Sequence, residues 1–216
     1  MATQHELLGE VEEALALYVK AMALDRTRVD REPGRGIWRL DLSFSHDAIG
    51  TALLKKGQNA EAIEHLRQAV ELSSAVVAAN PDDDFAQTSL ARGYDRLAST
   101  LSQLGDVDGA IRADLDRIAV LDHRRSAHPD RDEVWLEQTT AMVDAARRCL
   151  TMLERDRGPA VSTRARRVRT LLERVSVLQA QWRNENRTGS LPPDKADLDE
   201  SLERCDRLIS KVSAPE

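Results

Sequence analysis

The chain has 216 residues, is 41% hydrophobic but only 3% aromatic, and carries 31 basic against 37 acidic side chains, a net charge of −6. Such a chain can bury a sizeable core of Ala, Leu, Val and Ile, a helix-forming palette that leaves almost no sheet to expect. No apolar run reaches the roughly 18 residues of a membrane span, and Met1 to Glu10 lacks the basic start and apolar middle of a signal peptide, so the expected compartment is the cytoplasm.

A Gly-x4-Ala frame stands at Gly9 and Ala14, again at Gly57 and Ala62, and again at Gly105 and Ala110, each step being 48 residues. Pro33, Pro81 and Pro129 keep the same step. Two landmarks with one period define an internal repeat, which has to be settled before local structure is read.

The first predicted helix runs from Glu10 to Arg31 and lacks a full partner before it, since Met1 to Leu8 is too short to form one. Its apolar residues Val11, Leu15, Tyr18 and Met22 are therefore expected to dock a second copy or another domain. Glu32-Pro33-Gly34 then breaks the chain, as do Asn80-Pro81-Asp82 and His128-Pro129-Asp130 later, because proline cannot continue the preceding helix. Leu42, Ile49 and Leu53 mark the buried stripe of the next helix; Ala62, Leu66, Ala69 and Leu72 mark that of its successor. Lys56-Gly57-Gln58 lies between them, with glycine supplying the left-handed residue that ends a helix. Each period is a helical hairpin, and a hairpin buries both faces only by stacking on its copies.

The order and spacing of Ile49-Gly50, Leu53, Gly57, Ala62, Leu66 and Ala69 resemble the tetratricopeptide repeat family. Weaker copies extend the resemblance over about residues 9 to 153. The first keeps Gly9, Ala14, Tyr18 and Ala21; the third keeps Leu97, Ala98, Leu101, Gly105 and Ala110, then departs at Asp114 and Arg117, where large apolar and small residues belong. The family's usual period is about 34 residues; the longer one here predicts roughly two extra turns per helix. Trp38-Arg39-Leu40-Asp41-Leu42-Ser43 with Gly50 looks like the long-helix variant of bacterial multi-repeat proteins. The resemblance implies an all-α, right-handed α-α superhelix.

After Leu153 the period is lost. A long helix is expected from Gly158-Pro159 to about Arg187, striped by Val161, Ala165, Val168, Leu172 and Val175. Thr188 to Pro193 reads as a turn, and Leu198, Leu202, Cys205, Ile209 and Val212 recur at coiled-coil spacing. The division expected is repeats over 1–157 and a capping helical hairpin over 158–216, with Ser213 to Glu216 frayed.

Catalytic motifs are missing: GxxxxGK[ST] and HExxH do not occur, and Pro33-Gly34-Arg35-Gly36 lacks a strand-turn-helix setting. No enzyme activity, cofactor or metal is expected. His123, His128, Asp130 and Asp132 gather in one predicted loop, without the fixed face that helical metal ligands share. Cys149 and Cys205 lack metal-ligand spacing and read as reduced structural thiols. Trp38 and Trp135 are expected to pack between repeats, and Trp182 to plug the open end of the terminal hairpin.

In the family, the first helix of each pair lines a surface that meets an extended peptide. Helical spacing places Phe44, Asp47, Thr51 and Lys55 on that face, then Arg92, Asp95, Ser99 and Gln103, then Thr140, Asp144 and Arg147. Arg92 and Arg147 are the expected carboxylate or phosphate donors; the competing reading is an ordinary solvated face. A second candidate is basic: Arg157, Arg164, Arg166, Arg167 and Arg169 occur without an acid over 157–172, whereas residues 1–153 hold 18 Lys and Arg against 26 Asp and Glu. Nucleic acid is the sharp reading of that run. The missing aromatic interleaving and the negative net charge favour ion pairs with acids of the terminal hairpin or a partner domain, or solvated arginines. The expected function is non-catalytic recognition of a protein or peptide, with the alternative of a regulatory segment of a larger signalling enzyme or protease.

Overall fold

The computed structural model describes residues 10–156, 158–185, 187, 191 and 193–211, and every regular element among them is a helix. In chain order these are α1 (Val11–Arg31), α2 (Gly36–Lys55), α3 (Asn59–Ala79), α4 (Asp84–Gln103), α5 (Val107–Ala127), α6 (Asp132–Leu153), α7 (Val161–Asn184) and α8 (Lys195–Lys211). The 48-residue step carries α1 onto α3 and α3 onto α5 residue for residue, and α2 onto α4. At 21 residues, α3 is about 31 Å long. The expected lengthening of both helices of the pair is observed.

Two local devices reproduce these boundaries. Gly57 and Gly105 have φ of +74° and +83°, the left-handed conformation that costs glycine least. Around Gly57, the N–H of Gln58 donates to Leu53 and that of Gly57 to Leu54; around Gly105, Asp106 donates to Leu101 and Gly105 to Ser102. Both are paired 6→1 and 5→2 terminations that satisfy the last carbonyls of the helix. At the other end, Glu32, Asn80 and His128 precede proline and are held out of the helical region, with φ near −133°, −142° and −130°. Each still donates to the carbonyl four residues back, and each accepts from the N–H three residues on. Gly9, the turn glycine of the first copy, and Val212 to Glu216 lie outside the described residues.

The chain packs as two compact units, Met1–Thr100 and Leu101–Glu216, divided inside α4. The division expected at 157 instead followed the point where the periodicity stops. In the first unit Leu40, Val76 and Ala86 form one buried cluster and Ile49, Leu53 and Ala62 another. Gly50 allows the second: a Cβ there would stand 2.9 Å from Leu66 Cγ and 3.1 Å from the Ala62 carbonyl. Leu15, Tyr18 and Met22 pack against this same cluster. The expected docking edge of α1 is thus occupied within its own unit, and Val11 is half-buried beside it.

In the second unit α6 packs against α5, α7 and α8, and α7 against α8. The expected stripe of α7 is buried throughout, joined by Leu171, Leu178 and Trp182. The helix spans Val161 to Asn184, inside the range expected from Gly158 to Arg187. On α8, Leu198 and Cys205 are buried as expected, but Leu208 takes the place assigned to Ile209. Trp182 packs edge-on against Trp135 of α6, ring centroids 6.0 Å apart, so it ties α7 to α6. Trp135 donates from Nε1 to the Pro129 carbonyl at 2.8 Å. Trp38 is half-buried, with the Arg28 and Arg35 guanidiniums 5.3 and 5.7 Å from its ring.

Asp114 explains the departure in the third copy. It occupies the place of Leu66, and it is as buried, at 1% exposure. Arg148 of α6 answers it, with Nη2 3.3 Å from Oδ1. The same step from Arg148 leads back to Thr100, also buried. A buried leucine and a buried threonine of one copy are replaced in the next by a buried ion pair.

Candidate functional site

Successive residues of a helix are turned by 100°, which puts Ile37, Phe44 and Thr51 of α2 on one line, with Asp47 beside it. Across this line lies α4. Phe44 and Phe85 meet edge-to-face with centroids 6.2 Å apart, and both are exposed, Phe85 by 54%. Asp47 Oδ1 lies 2.7 Å from Arg96 Nε, and Arg96 Nη1 donates to Thr51 Oγ1 at 3.1 Å. Burial pushes the Asp47 carboxyl above its ordinary pKa, while Arg96 and Arg92 pull it back. Arg92 is exposed and forms no hydrogen bond or ion pair among the described residues. Ala69 and Ser73 of α3 floor the groove, and Gly93 lets α4 come close, since a Cβ there would stand 3.3 Å from Val70. The groove's cavity is about 20 Å³, space for one water and no small molecule.

The other expected groove residues have varied surroundings. Lys55 and Gln103 are exposed at helix ends; Asp95, Ser99, Thr140 and Asp144 are half-buried. Arg147 is exposed and reaches Asp197 of α8 at 3.4 Å. Within the first unit, then, Phe44, Asp47, Thr51 and Arg92 are brought together. Sequence reasoning missed Arg96 and Phe85. Arg96 lies one turn beyond Arg92, and Phe85 lies one period beyond the exposed Ile37.

Two of the four described arginines of the α7 run are engaged. Arg164 makes a two-pronged pair with Asp108 at 2.9 and 2.6 Å and also reaches Asp156 at 2.8 Å. Its hydrogen bonds to the Asp108 carboxylate hold that group below the usual carboxylate range. Arg169 pairs with Glu173 and with Asp206 of α8. Arg166 and Arg167 are exposed, and Arg157 lies outside the described residues.

His123 belongs to the last turns of α5, not to a loop, and Asp132 opens α6 in an ion pair with Arg187. No group of three or more metal-ligating side chains gathers among the described residues. Cys149 and Cys205 are buried free thiols whose pKa values burial raises to about 12 and about 11. The sequence reading also passed over His46 and His65, whose Nδ1 atoms are 3.0 Å apart. Burial, the neighbouring His65 and Arg26 lower His46 to about 4, which keeps it neutral at physiological pH.

Residues 45–75 match the family model for the tetratricopeptide repeat. No curated protein matches the chain. Among solved structures, it is similar to the nearly identical TPR-like repeats of a Podosopora anserina kinesin light chain, at 16% identity, covering 99% of this chain and 94% of that one with a TM-score of 0.56. A point variant of that protein gives the same identity and score over 98% and 92%. A structure from the computational design of self-assembling cyclic homooligomers matches at 12% identity over 95% and 85%, with a TM-score of 0.53. At these identities the likeness concerns the fold. The chain has an all-α fold of TPR-like helical repeats, one of which, at 45–75, matches the family's own model. No helix among the described residues is long and apolar enough to cross a membrane.

Proposed function

We propose that this chain of TPR-like repeats is a non-catalytic recognition module that binds an extended peptide of a partner protein across the α2/α4 face of its first unit. TPR repeats generally mediate protein–protein contacts, and the site has the parts that contact needs. One observation carries the reading: an exposed edge-on Phe44–Phe85 pair stands beside Arg92, an exposed guanidinium that feels the Asp47 charge but makes no hydrogen bond or ion pair among the described residues. The aromatics anchor an apolar side chain, and Arg92 takes a neighbouring acidic one through directional paired bonds. Asp47 is ion-paired with Arg96, which also donates to Thr51, so this guanidinium is engaged beside the groove. Repeats spread binding over several modest contacts, so the affinity expected is micromolar.

The test is a random peptide library selected on the wild-type chain, with binding measured by fluorescence anisotropy against Arg92→Glu and Phe44→Ser. Selected peptides should carry an acidic residue close to an apolar one, and each variant should weaken them roughly tenfold or more. Peptides bound equally by wild type and both variants would overturn the assignment. Arg147 takes part in recognition only if Arg147→Glu weakens the same peptides.

A further inference from the structure

The side of α2 that carries Leu42 and His46 is turned roughly 160° from Phe44, and Arg39 roughly 140°. There α1 and α3 flank a separate cleft of about 320 Å³ lined by Arg26, Arg39, Leu42, His46, Glu71 and Leu72, with Gln68 and Ala75 completing its wall. This is the lower end of the size range of small-ligand sites. Its guanidiniums come from two helices. Neighbouring Arg28 pairs with Asp25 and Asp41, and Arg35 with Glu32, yet Arg26 and Arg39 have no ion pair or hydrogen bond among the described residues. Arg39 is only partly exposed and Arg26 is exposed, so the Arg39 charge lies against the cleft with no ion pair of its own among the described residues.

From this geometry we infer that the α1–α2–α3 cleft is a binding site for a carboxylate with an apolar body, held at its charged end by Arg26 and Arg39. The charge balance selects the ligand. Two guanidiniums against the single carboxylate of Glu71 leave the cleft with one net positive charge, because the buried His46 is neutral, and that suits a monoanion better than a phosphate dianion. Leu42, Leu72 and Ala75 offer an apolar wall to the rest of the ligand. His46 is bonded to His65 through Nδ1, so its ring is fixed as part of the floor.

The shared chemistry, a carboxylate on an aliphatic body, fits both a free short-chain acid and the C-terminus of a peptide. The probes are therefore sodium hexanoate and N-acetyl-leucine, with hexanol as the uncharged control. Each is titrated into the full ¹⁵N-labelled chain while amide shifts are followed. Saturable shifts confined to α1, α2 and α3 are expected for the carboxylates and none for hexanol. Arg26→Gln/Arg39→Gln, with an unchanged circular-dichroism spectrum, should weaken binding roughly tenfold or more. Tighter binding of N-acetyl-leucine points to a chain terminus as the natural ligand, and tighter binding of hexanoate to a free acid. Non-saturating shifts, equal binding of hexanol, or undiminished binding to the double variant would overturn the inference. Arg92→Gln lies on the other side of α2 and should leave this binding intact, so the peptide face and the cleft fail or stand separately.

Discussion

Replacing Asp114 by leucine puts the second copy's residue, Leu66, into the third copy. Alone, the change leaves Arg148 facing an apolar partner. Asp114 is 1% exposed and the Arg148 side chain 14%, so neither charge recovers its hydration by a small movement. Breaking one side of such a pair costs about 3–5 kcal/mol, and the 3.3 Å separation and residual exposure of Arg148 favour about 3. Arg148→Thr, which restores the counterpart Thr100, strands Asp114 and should cost a similar amount. The double variant Asp114→Leu/Arg148→Thr removes both charges and should lie within about 1 kcal/mol of wild type or above it, because desolvation largely offsets the attraction of a buried pair. Urea unfolding followed by tryptophan fluorescence reports on this unit through Trp135 and Trp182. With a slope of about 2 kcal/mol per molar, each single variant should lower the midpoint by about 1.5 M and the double variant by less than about 0.5 M. An Asp114→Leu chain as stable as wild type would refute the reasoning, since Arg148 would then not need its carboxylate.

Stability should fall as pH drops from about 6.5 to about 4. His46 is depressed in the folded chain, so the unfolded state binds the proton first and the neutral-form advantage is lost on acidification. The full shift corresponds to about 3 kcal/mol, and His46→Gln should flatten this part of a urea-midpoint profile relative to wild type. Raised carboxyls such as Asp41 and Asp47 act in the opposite direction, so a steeper fall in His46→Gln would refute the assignment. Gly50→Ala should cost about 1–3 kcal/mol by forcing Leu66 and the Ala62 carbonyl apart, more than Gly57→Ala, which meets no atom and pays only for its left-handed backbone, about 1–2 kcal/mol. Thermal melts rank the two. Cys149 and Cys205, buried and with pKa values raised to about 12 and about 11, should not react with a thiol reagent at pH 8 until urea unfolds the chain; fast labelling of the native protein would contradict their packing.

The period, the helix boundaries and the two kinds of turn were legible in the amino-acid order. They depend on local stereochemistry: glycine at φ near +80°, proline restricting its predecessor, and apolar residues three and four apart. Helical spacing likewise puts Phe44, Asp47 and Thr51 on one face of α2, with Arg92 on α4. Other features depended on how each helix is rotated against its neighbours. Leu15, Tyr18 and Met22 share an apolar stripe, and packing places it, partly buried, against Ile49, Leu53 and Ala62. On α8, packing buries Leu208 and leaves Ile209, its neighbour in the expected stripe, half-buried.

Charge partners were the least legible. A long arginine side chain chooses a carboxylate by distance in space, so Arg164 finds Asp108 and Arg204 finds Glu154 across 50 or more residues of chain. Asp114 at a leucine position reads as a lost repeat until Arg148 stands opposite it. His46 and His65, 19 residues apart, form a pair only because α2 and α3 fold back on one another. Local order determined the repeating helical hairpin; the tertiary structure decided which arginines are paired and which, Arg26, Arg39 and Arg92 among them, make no ion pair or hydrogen bond among the described residues.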